Sequence, residues 1–150
     1  MAKRKIDPEV IYEQPLPLDK PKKKRSSSYS KNKGNAYELQ IVKELRELTG
    51  NDNIHTSRFA SKKLDNMKID IYDEENCLPC YLQLKKTQTT PSIKKINEEV
   101  GKINKPLCIL WNIQEKKEGN TNITSQGEYA IIPKYFFYEL LKQTLNKDNY

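Results

Sequence analysis

A continuous apolar run, Leu107-Cys108-Ile109-Leu110-Trp111, constrains the fold of this 150-residue chain more than any other feature. A strand that alternates apolar and polar residues can leave one face in water, whereas a run without a polar residue needs cover on both faces. Helices packed on both sides of a sheet provide that cover. The run therefore predicts an α/β protein with a buried strand inside its sheet.

Helical and strand-like segments alternate around this run. The spacing of apolar residues predicts amphipathic helices over about 35–49, from 91 onward and over 133–145. Strands are predicted over 53–59, 68–73, 81–87, 107–111 and 128–132, with a polar loop or a turn of helix over 60–66. The order helix, three strands, helix, two strands, helix predicts an α/β sandwich with a mixed sheet.

Residues 1–33 differ in composition from the rest of the chain. They hold ten Lys/Arg against four Asp/Glu, and so carry most of the net charge of +7. Four prolines, the run Lys22-Lys23-Lys24-Arg25 and the run Ser26-Ser27-Ser28 leave too little apolar surface to offset chain entropy. We predict a disordered basic arm over 1–33 and one folded domain over 34–150. Nucleic acid is the expected partner, because lysines displace condensed counterions from phosphates; a solubilising leader is the alternative.

Two further features bear on where the protein acts. No apolar run approaches the roughly 20 residues that span a bilayer, and no apolar signal segment follows the N-terminus. We therefore expect a cytoplasmic protein that is not secreted, with Cys77, Cys80 and Cys108 reduced. The spacing Cys77-Leu78-Pro79-Cys80 also occurs in redox and zinc motifs, but its place before a strand and the lack of paired further ligands favour a plain turn.

Polar side chains on two neighbouring strands form the candidate site. Asp70 lies on the strand over 68–73, and Gln83 and Lys85 share one face of the next strand. Glu38 lies at the edge of the apolar stripe of the first helix, where it could face the sheet. Each residue also has a purely structural interpretation: Glu38 has the capping-box spacing from Asn35, and the other three fit ordinary polar strand positions.

Together these side chains suit metal-assisted hydrolysis of a phosphodiester. Asp70 would bind a divalent cation, with the Gln83 side-chain oxygen beside it and Glu38 as a second carboxylate, directly or through water. Oxygen ligands favour Mg²⁺, with Mn²⁺ as a possible substitute. The metal would lower the pKa of a bound water and offset phosphate charge, while Lys85 orients the nucleophile or stabilises that charge.

The pattern Glu38, Asp70 and Gln83-Leu84-Lys85 resembles the PD-(D/E)XK nuclease superfamily, and within it the archaeal and phage Holliday junction resolvases. The similarity covers about 34–88 by motif and extends to about 145 by order of elements. It implies a three-layer, restriction-endonuclease-like fold with a mixed central sheet flanked by helices. It also implies a metal-dependent, usually homodimeric, structure-selective endonuclease with Asp70, Gln83 and Lys85 as catalytic residues and Glu38 as an accessory one. Gln83 stands where an acidic ligand is usual, which makes this a Gln-x-Lys variant.

Predicted DNA contacts surround this site. Polar and basic residues before and after the two site strands could hold phosphates, although a solvated loop would have the same composition. These residues are Ser57, Arg58, Ser61, Lys62, Lys63 and Lys86, together with Lys22, Lys23, Lys24 and Arg25 of the arm. Three functions remain open: a Holliday junction resolvase of a phage or similar element, a nuclease for linear or single-stranded DNA, and an inactive nucleic-acid-binding or virion-associated protein.

Overall fold

The computed structural model describes residues 27–147, so the arm residues Lys22–Arg25 lie outside the described part of the chain. The protein is a mixed α/β structure with two sheets. Its elements are α1 (Ser27–Thr49), β1 (Ile54–Thr56), α2 (Ser57–Ala60), α3 (Lys62–Asn66), β2 (Ile71–Asp73), β3 (Tyr81–Thr87), α4 (Ile93–Val100), β4 (Leu107–Lys116), β5 (Ile123–Ile131) and α5 (Lys134–Lys147). Strands β1 and β2 form an antiparallel pair. Strand β4 lies between a parallel β3 and an antiparallel β5, so the larger sheet is mixed, as predicted.

Apolar side chains cover both faces of the larger sheet. On one face, Leu82 and Cys108 belong to a cluster with Tyr37 and Ile41 of α1. On the other face, Ile109 belongs to a cluster with residues of α4. Adjacent residues of β4 thus contribute to opposite clusters, which confirms that the apolar run is a central strand buried on both sides.

Helix α1 begins earlier than the sequence predicts. It ends at Thr49 as expected, but it includes residues 27–33, which the composition assigns to the arm. Gly34 in the helix interior weakens a helix without breaking it, so the helix continues through this position. The added turns lie beside the sheet, where Tyr29 and Gly34 line a groove together with Lys86 of β3.

A tight helix ending shortens the strand that contains Asp70. The strand predicted over 68–73 is regular only in its last three residues, because α3 ends in a Schellman turn. In this turn the Ile69 N–H donates to the Leu64 carbonyl and the Lys68 N–H donates to the Asp65 carbonyl, both at 3.0 Å. Lys68 adopts the left-handed conformation that the turn requires, with φ of 60°. The turn returns Ile69 to the core and places Asp70 directly after it.

The predicted strand over 53–59 also divides. It becomes β1 followed by α2, because the Ser61 N–H donates to the Ser57 carbonyl (2.8 Å) and closes a helical turn. Strand β2 pairs with β1 rather than forming a hairpin with β3. Asp70, just before β2, is hydrogen-bonded to β3 through its N–H, which donates to the Leu82 carbonyl (2.9 Å).

The second half of the chain keeps the predicted order with changed boundaries. Ser92 caps α4, and Gly101, with φ of 72°, ends it, so Ile103 lies outside the helix. Strands β4 and β5 are longer than predicted, since a bulge at Ile113/Gln114 lets the pairing continue. Helix α5 follows Pro133 as expected. None of the helices described over 27–147 is long and apolar enough to cross a membrane.

Candidate active site

Hydrogen bonds to β3 and to α2 fix the position of Asp70. Its backbone carbonyl accepts from the Ser57 N–H at 2.8 Å. Its side-chain Oδ2 accepts from the Leu84 N–H at 2.7 Å. Leu84 lies between Gln83 and Lys85 on β3, so the Asp70 carboxylate is held at the middle of the predicted catalytic strand. The two strand segments therefore come together here without a regular hairpin.

Gln83 and Lys85 follow this carboxylate along β3. Gln83 is 2% exposed, and its Oε1 has no hydrogen-bond partner within the described residues. A buried acceptor without a partner costs about 1–3 kcal/mol, so this oxygen is suited to a ligand that the protein alone does not supply. Lys85 is half-buried, and its positive charge acts on Asp70. Alternation along β3 places Gln83 and Lys85 on the same face.

Glu38 comes to the site from the middle of α1. Because α1 begins at Ser27, Glu38 is more than two turns inside the helix, and its interpretation as a capping-box residue is wrong. Both of its carboxylate oxygens lie 2.7 Å from Nη2 of Arg58. Nη1 of the same guanidinium donates to the Asn35 side chain. Arg58, predicted to hold a phosphate, thus binds Glu38 in this structure.

Burial and neighbouring charges have opposing effects on the pKa of the two site carboxyl groups. Burial raises the pKa of Asp70, while the Leu84 N–H and the charges of Lys85 and Arg58 act to lower it. Burial also raises the pKa of Glu38, the charge of Asp70 adds to this increase, and Arg58 opposes it. Because the charge of one carboxylate raises the pKa of the other, a bound cation would relieve repulsion at this site.

The donor chemistry of these residues fits a hard divalent cation. Asp70, Glu38 and Gln83 offer only oxygen ligands, and one of them is a buried oxygen without a partner. Two features would lower the affinity of this site for a cation: the Gln83 amide contributes no charge, and Glu38 is paired with Arg58. Residues 27–147 contain no group of three or more His, Cys, Asp or Glu residues placed to hold a metal.

The predicted DNA contacts differ in their access to solvent. Ser57 is 0% exposed, so a phosphate could not reach it, and its inclusion among the DNA contacts is wrong. The Ser61 hydroxyl accepts from the Leu64 N–H (3.3 Å) as the N-cap of α3. Lys62 and Lys63 are exposed on α3 and remain available. Lys86 is half-buried, with its ammonium 5.7 Å from the centre of the Tyr37 ring.

A buried polar cluster next to the site was not predicted. On β4, the Asn112 side chain donates to Glu128 (2.8 Å) and accepts from the Ser125 hydroxyl (2.9 Å). Burial, followed by the charge of Glu128, raises the pKa of Tyr37. The alternation of Asn112 and Gln114 along β4 was the available signal. Asn35 was a second missed residue, because its spacing from Glu38 suggested a helix cap.

The three cysteines are free thiols. Cys77 is exposed, and its sulfur lies 3.3 Å from the Asn51 side-chain nitrogen. A hydrogen bond with Cys108 lowers the pKa of Cys80. Cys77 and Cys80 lie in the turn before β3, as expected for the plain-turn interpretation.

Comparison with protein-family models, with curated proteins and with solved structures finds no match to this chain.

Proposed function

We propose that this protein is a metal-dependent endonuclease of the PD-(D/E)XK type that cuts branched DNA, as a Holliday junction resolvase does. One observation carries the proposal. The Asp70 carboxylate accepts a hydrogen bond from the Leu84 N–H, between Gln83 and Lys85, and its charge raises the pKa of Glu38 on α1. These contacts support a site shared by the four predicted catalytic residues, which come from three separate parts of the chain.

Each residue has a role in this mechanism. Asp70, Gln83 and Glu38 would hold Mg²⁺ or Mn²⁺, which supplies an activated water and offsets phosphate charge when bound. Lys85 carries a positive charge next to Asp70 and would stabilise negative charge on the phosphate. Arg58 holds Glu38 until a substrate phosphate competes for the guanidinium, which binds phosphates and carboxylates alike.

We propose that the protein acts in the cytoplasm. For a phage-encoded protein, this is the cytoplasm of the bacterial host. Symmetrical cutting of a four-way junction requires two active sites, so we propose a homodimer. Aromatic residues are candidates for its interface, namely Trp111 of β4 and the aromatic run over 135–138. Phe136 is buried in the core, whereas Tyr135, Phe137 and Tyr138 are exposed on α5 and remain available for a second copy of the chain.

The test compares three DNA substrates. Purified protein is incubated with a labelled four-way junction, linear duplex and single strand, each with Mg²⁺, Mn²⁺ or chelator. We expect paired nicks in the junction that disappear with chelator and in Asp70→Ala and Lys85→Ala. Equal cutting of linear duplex or single strands would instead favour a nuclease without junction specificity.

A second candidate function is DNA binding without catalysis, as in an inactive nucleic-acid-binding or virion-associated protein. It is favoured by the Arg58 pair, which neutralises Glu38, and by the uncharged Gln83. The same assay separates the two candidates: junction binding without a metal-dependent product supports the inactive protein and contradicts the nuclease.

A further inference from the structure

A cavity of about 630 Å³ adjoins the candidate active site but contains none of its four residues. Its volume lies within the range of small-molecule sites. Two elements connect the cavity to the site: Ile71 of its lining follows Asp70, and Leu82 of its lining precedes Gln83. The backbone of the cavity lining is thus about 3.3 Å, one residue of a strand, from that of the site.

The lining suits a flat, partly apolar group. Met67, Leu78 and Ile103 line the cavity, and all three are half-buried. Tyr72 and Tyr81 also line it and provide aromatic surface. Apolar side chains with a few aromatic rings are the usual surroundings of a bound nucleobase, which stacks on such rings.

One wall of the cavity is fixed by contacts within the protein. The Tyr81 hydroxyl donates to the Asn104 side chain at 2.8 Å. The Lys105 ammonium lies 5.5 Å from the centre of the Tyr81 ring and donates to the Leu78 carbonyl at 2.8 Å. Because this aromatic wall is held in place before a ligand arrives, binding would cost little ordering.

The charge of the lining favours an anion. Lys63 and Lys102 line the cavity and are exposed, and neither forms an ion pair with a carboxylate within residues 27–147. Asp73 is the acidic residue of the lining, but its carboxylate accepts hydrogen bonds from the Leu78 N–H (2.7 Å) and the Asn51 side chain (3.4 Å). A ligand with a flat base and a phosphate matches this combination.

We propose that the cavity binds one nucleotide of the DNA substrate, with its base beside Tyr81 and its phosphate near Lys63 and Lys102. This inference rests on the proposed nuclease function and adds a reason for branched substrates. A base at a branch point leaves the stack at lower cost than a base within a duplex. The cavity would therefore select DNA in which one nucleotide next to the cut is free to enter.

The first experiment measures binding of a mononucleotide without metal or cleavage. Thymidine monophosphate is titrated into the full chain in chelator, with thymidine and inorganic phosphate as separate probes, and amide chemical shifts are recorded. We expect saturable chemical-shift changes at the cavity residues with the mononucleotide, and weaker binding of thymidine alone and of inorganic phosphate alone. Equal binding of phosphate alone, or shifts elsewhere, would overturn the proposal.

Two charge-reversal variants provide the matched comparison. Lys102→Glu removes a cavity cation, whereas Lys94→Glu changes an exposed lysine of α4 outside the lining. Loss of a charge-assisted contact should weaken mononucleotide binding by about tenfold in Lys102→Glu. Lys94→Glu should bind as the unchanged chain does, and equal weakening in both variants would contradict a specific site.

A junction with abasic sites next to the branch distinguishes DNA from free nucleotide as the natural ligand. In chelator, the abasic junction should bind the unchanged chain more weakly than the intact junction does, and Lys102→Glu should remove this difference. No difference in the unchanged chain would overturn the DNA assignment. Failure of the nuclease proposal looks different: nucleotide binding would persist while no metal-dependent product forms.

Discussion

At the scale of single residues, Gln83 would decide how tightly the proposed site holds a metal. It is buried beside the strand position that fixes Asp70, and its side-chain oxygen has no partner among the described residues. A neutral amide in this position avoids a further buried negative charge near two carboxylates whose pKa values are already raised. Gln83 therefore favours the stability of the metal-free protein, and it would lower the affinity of the proposed site for a metal.

Gln83→Glu should reverse this balance. The added charge should raise Mg²⁺ or Mn²⁺ affinity by roughly tenfold, since ligand charge sets the affinity of oxygen sites. Without metal, a buried unpaired carboxylate should lower the melting temperature. Calorimetric metal titration and thermal melts with and without metal measure both effects, and Gln88→Glu, exposed just beyond β3, is the control. An equal response in the two variants would contradict metal binding at Gln83.

Asp70 offers a separate test through pH. Its pKa is raised in the folded protein, so the stability it contributes is present below its unfolded pKa of about 3.9 and is lost as pH rises through the folded value. Asp70→Asn should thus be more stable than the unchanged chain at neutral pH in chelator, and this difference should shrink towards pH 4. The Asn side-chain oxygen can still accept from the Leu84 N–H. Denaturant unfolding from pH 4 to 8 measures the trend, and a variant less stable at pH 7 would contradict it.

At the scale of elements, local patterns predicted the helices and strands better than their ends. Strand β3 is found as predicted, because its alternation and flanking turn are local signals. The ends of β2 and α1 carried weaker signals. The Schellman turn that shortens β2 is local, but its left-handed residue is Lys68 and not the usual glycine. The residues that extend α1 before Gly34 are mostly exposed, so no apolar periodicity marked them as helical. The Arg58 to Glu38 pair was not predictable, since its residues lie 20 positions apart and meet only in the folded chain.

Gly34 tests the extended α1. If the helix begins at Ser27, Gly34 is interior, and no atom lies within 4 Å of an added Cβ. Gly34→Ala should then stabilise the protein by about 0.5–1 kcal/mol, measured by denaturant unfolding. If the helix began at Asn35, Gly34 would be a cap, and the same change would be destabilising.

Gly101 is the matched control for this substitution. It also has no atom within 4 Å of an added Cβ, but its φ of 72° is unfavourable for alanine. Gly101→Ala should therefore destabilise the protein by about 1 kcal/mol or more through the backbone alone. If Gly34→Ala stabilises the protein and Gly101→Ala destabilises it, the backbone conformation at each glycine, and not the space for a Cβ, determines the change in stability.

At the scale of the whole molecule, the separation of charge between arm and domain shapes the expected binding to DNA. The arm holds ten Lys/Arg against four Asp/Glu, whereas positive and negative residues nearly balance in the remaining chain. Catalysis would depend on a few residues around Asp70, but affinity would come mainly from lysines that displace counterions. The two contributions can therefore be removed independently.

Replacing Lys22, Lys23, Lys24 and Arg25 with Gln should weaken junction binding and reduce its salt dependence. If all four contact phosphates, the slope of log K against log salt should fall by about 3 to 4, because each contact contributes roughly 0.9. Fluorescence anisotropy between 50 and 200 mM salt, in chelator, measures the slope. The same replacement of Lys116, Lys117, Lys142 and Lys147, exposed in the folded domain, is the control for net charge. Equal slopes for the two variants would mean that the arm acts through overall charge alone, as a solubilising leader would.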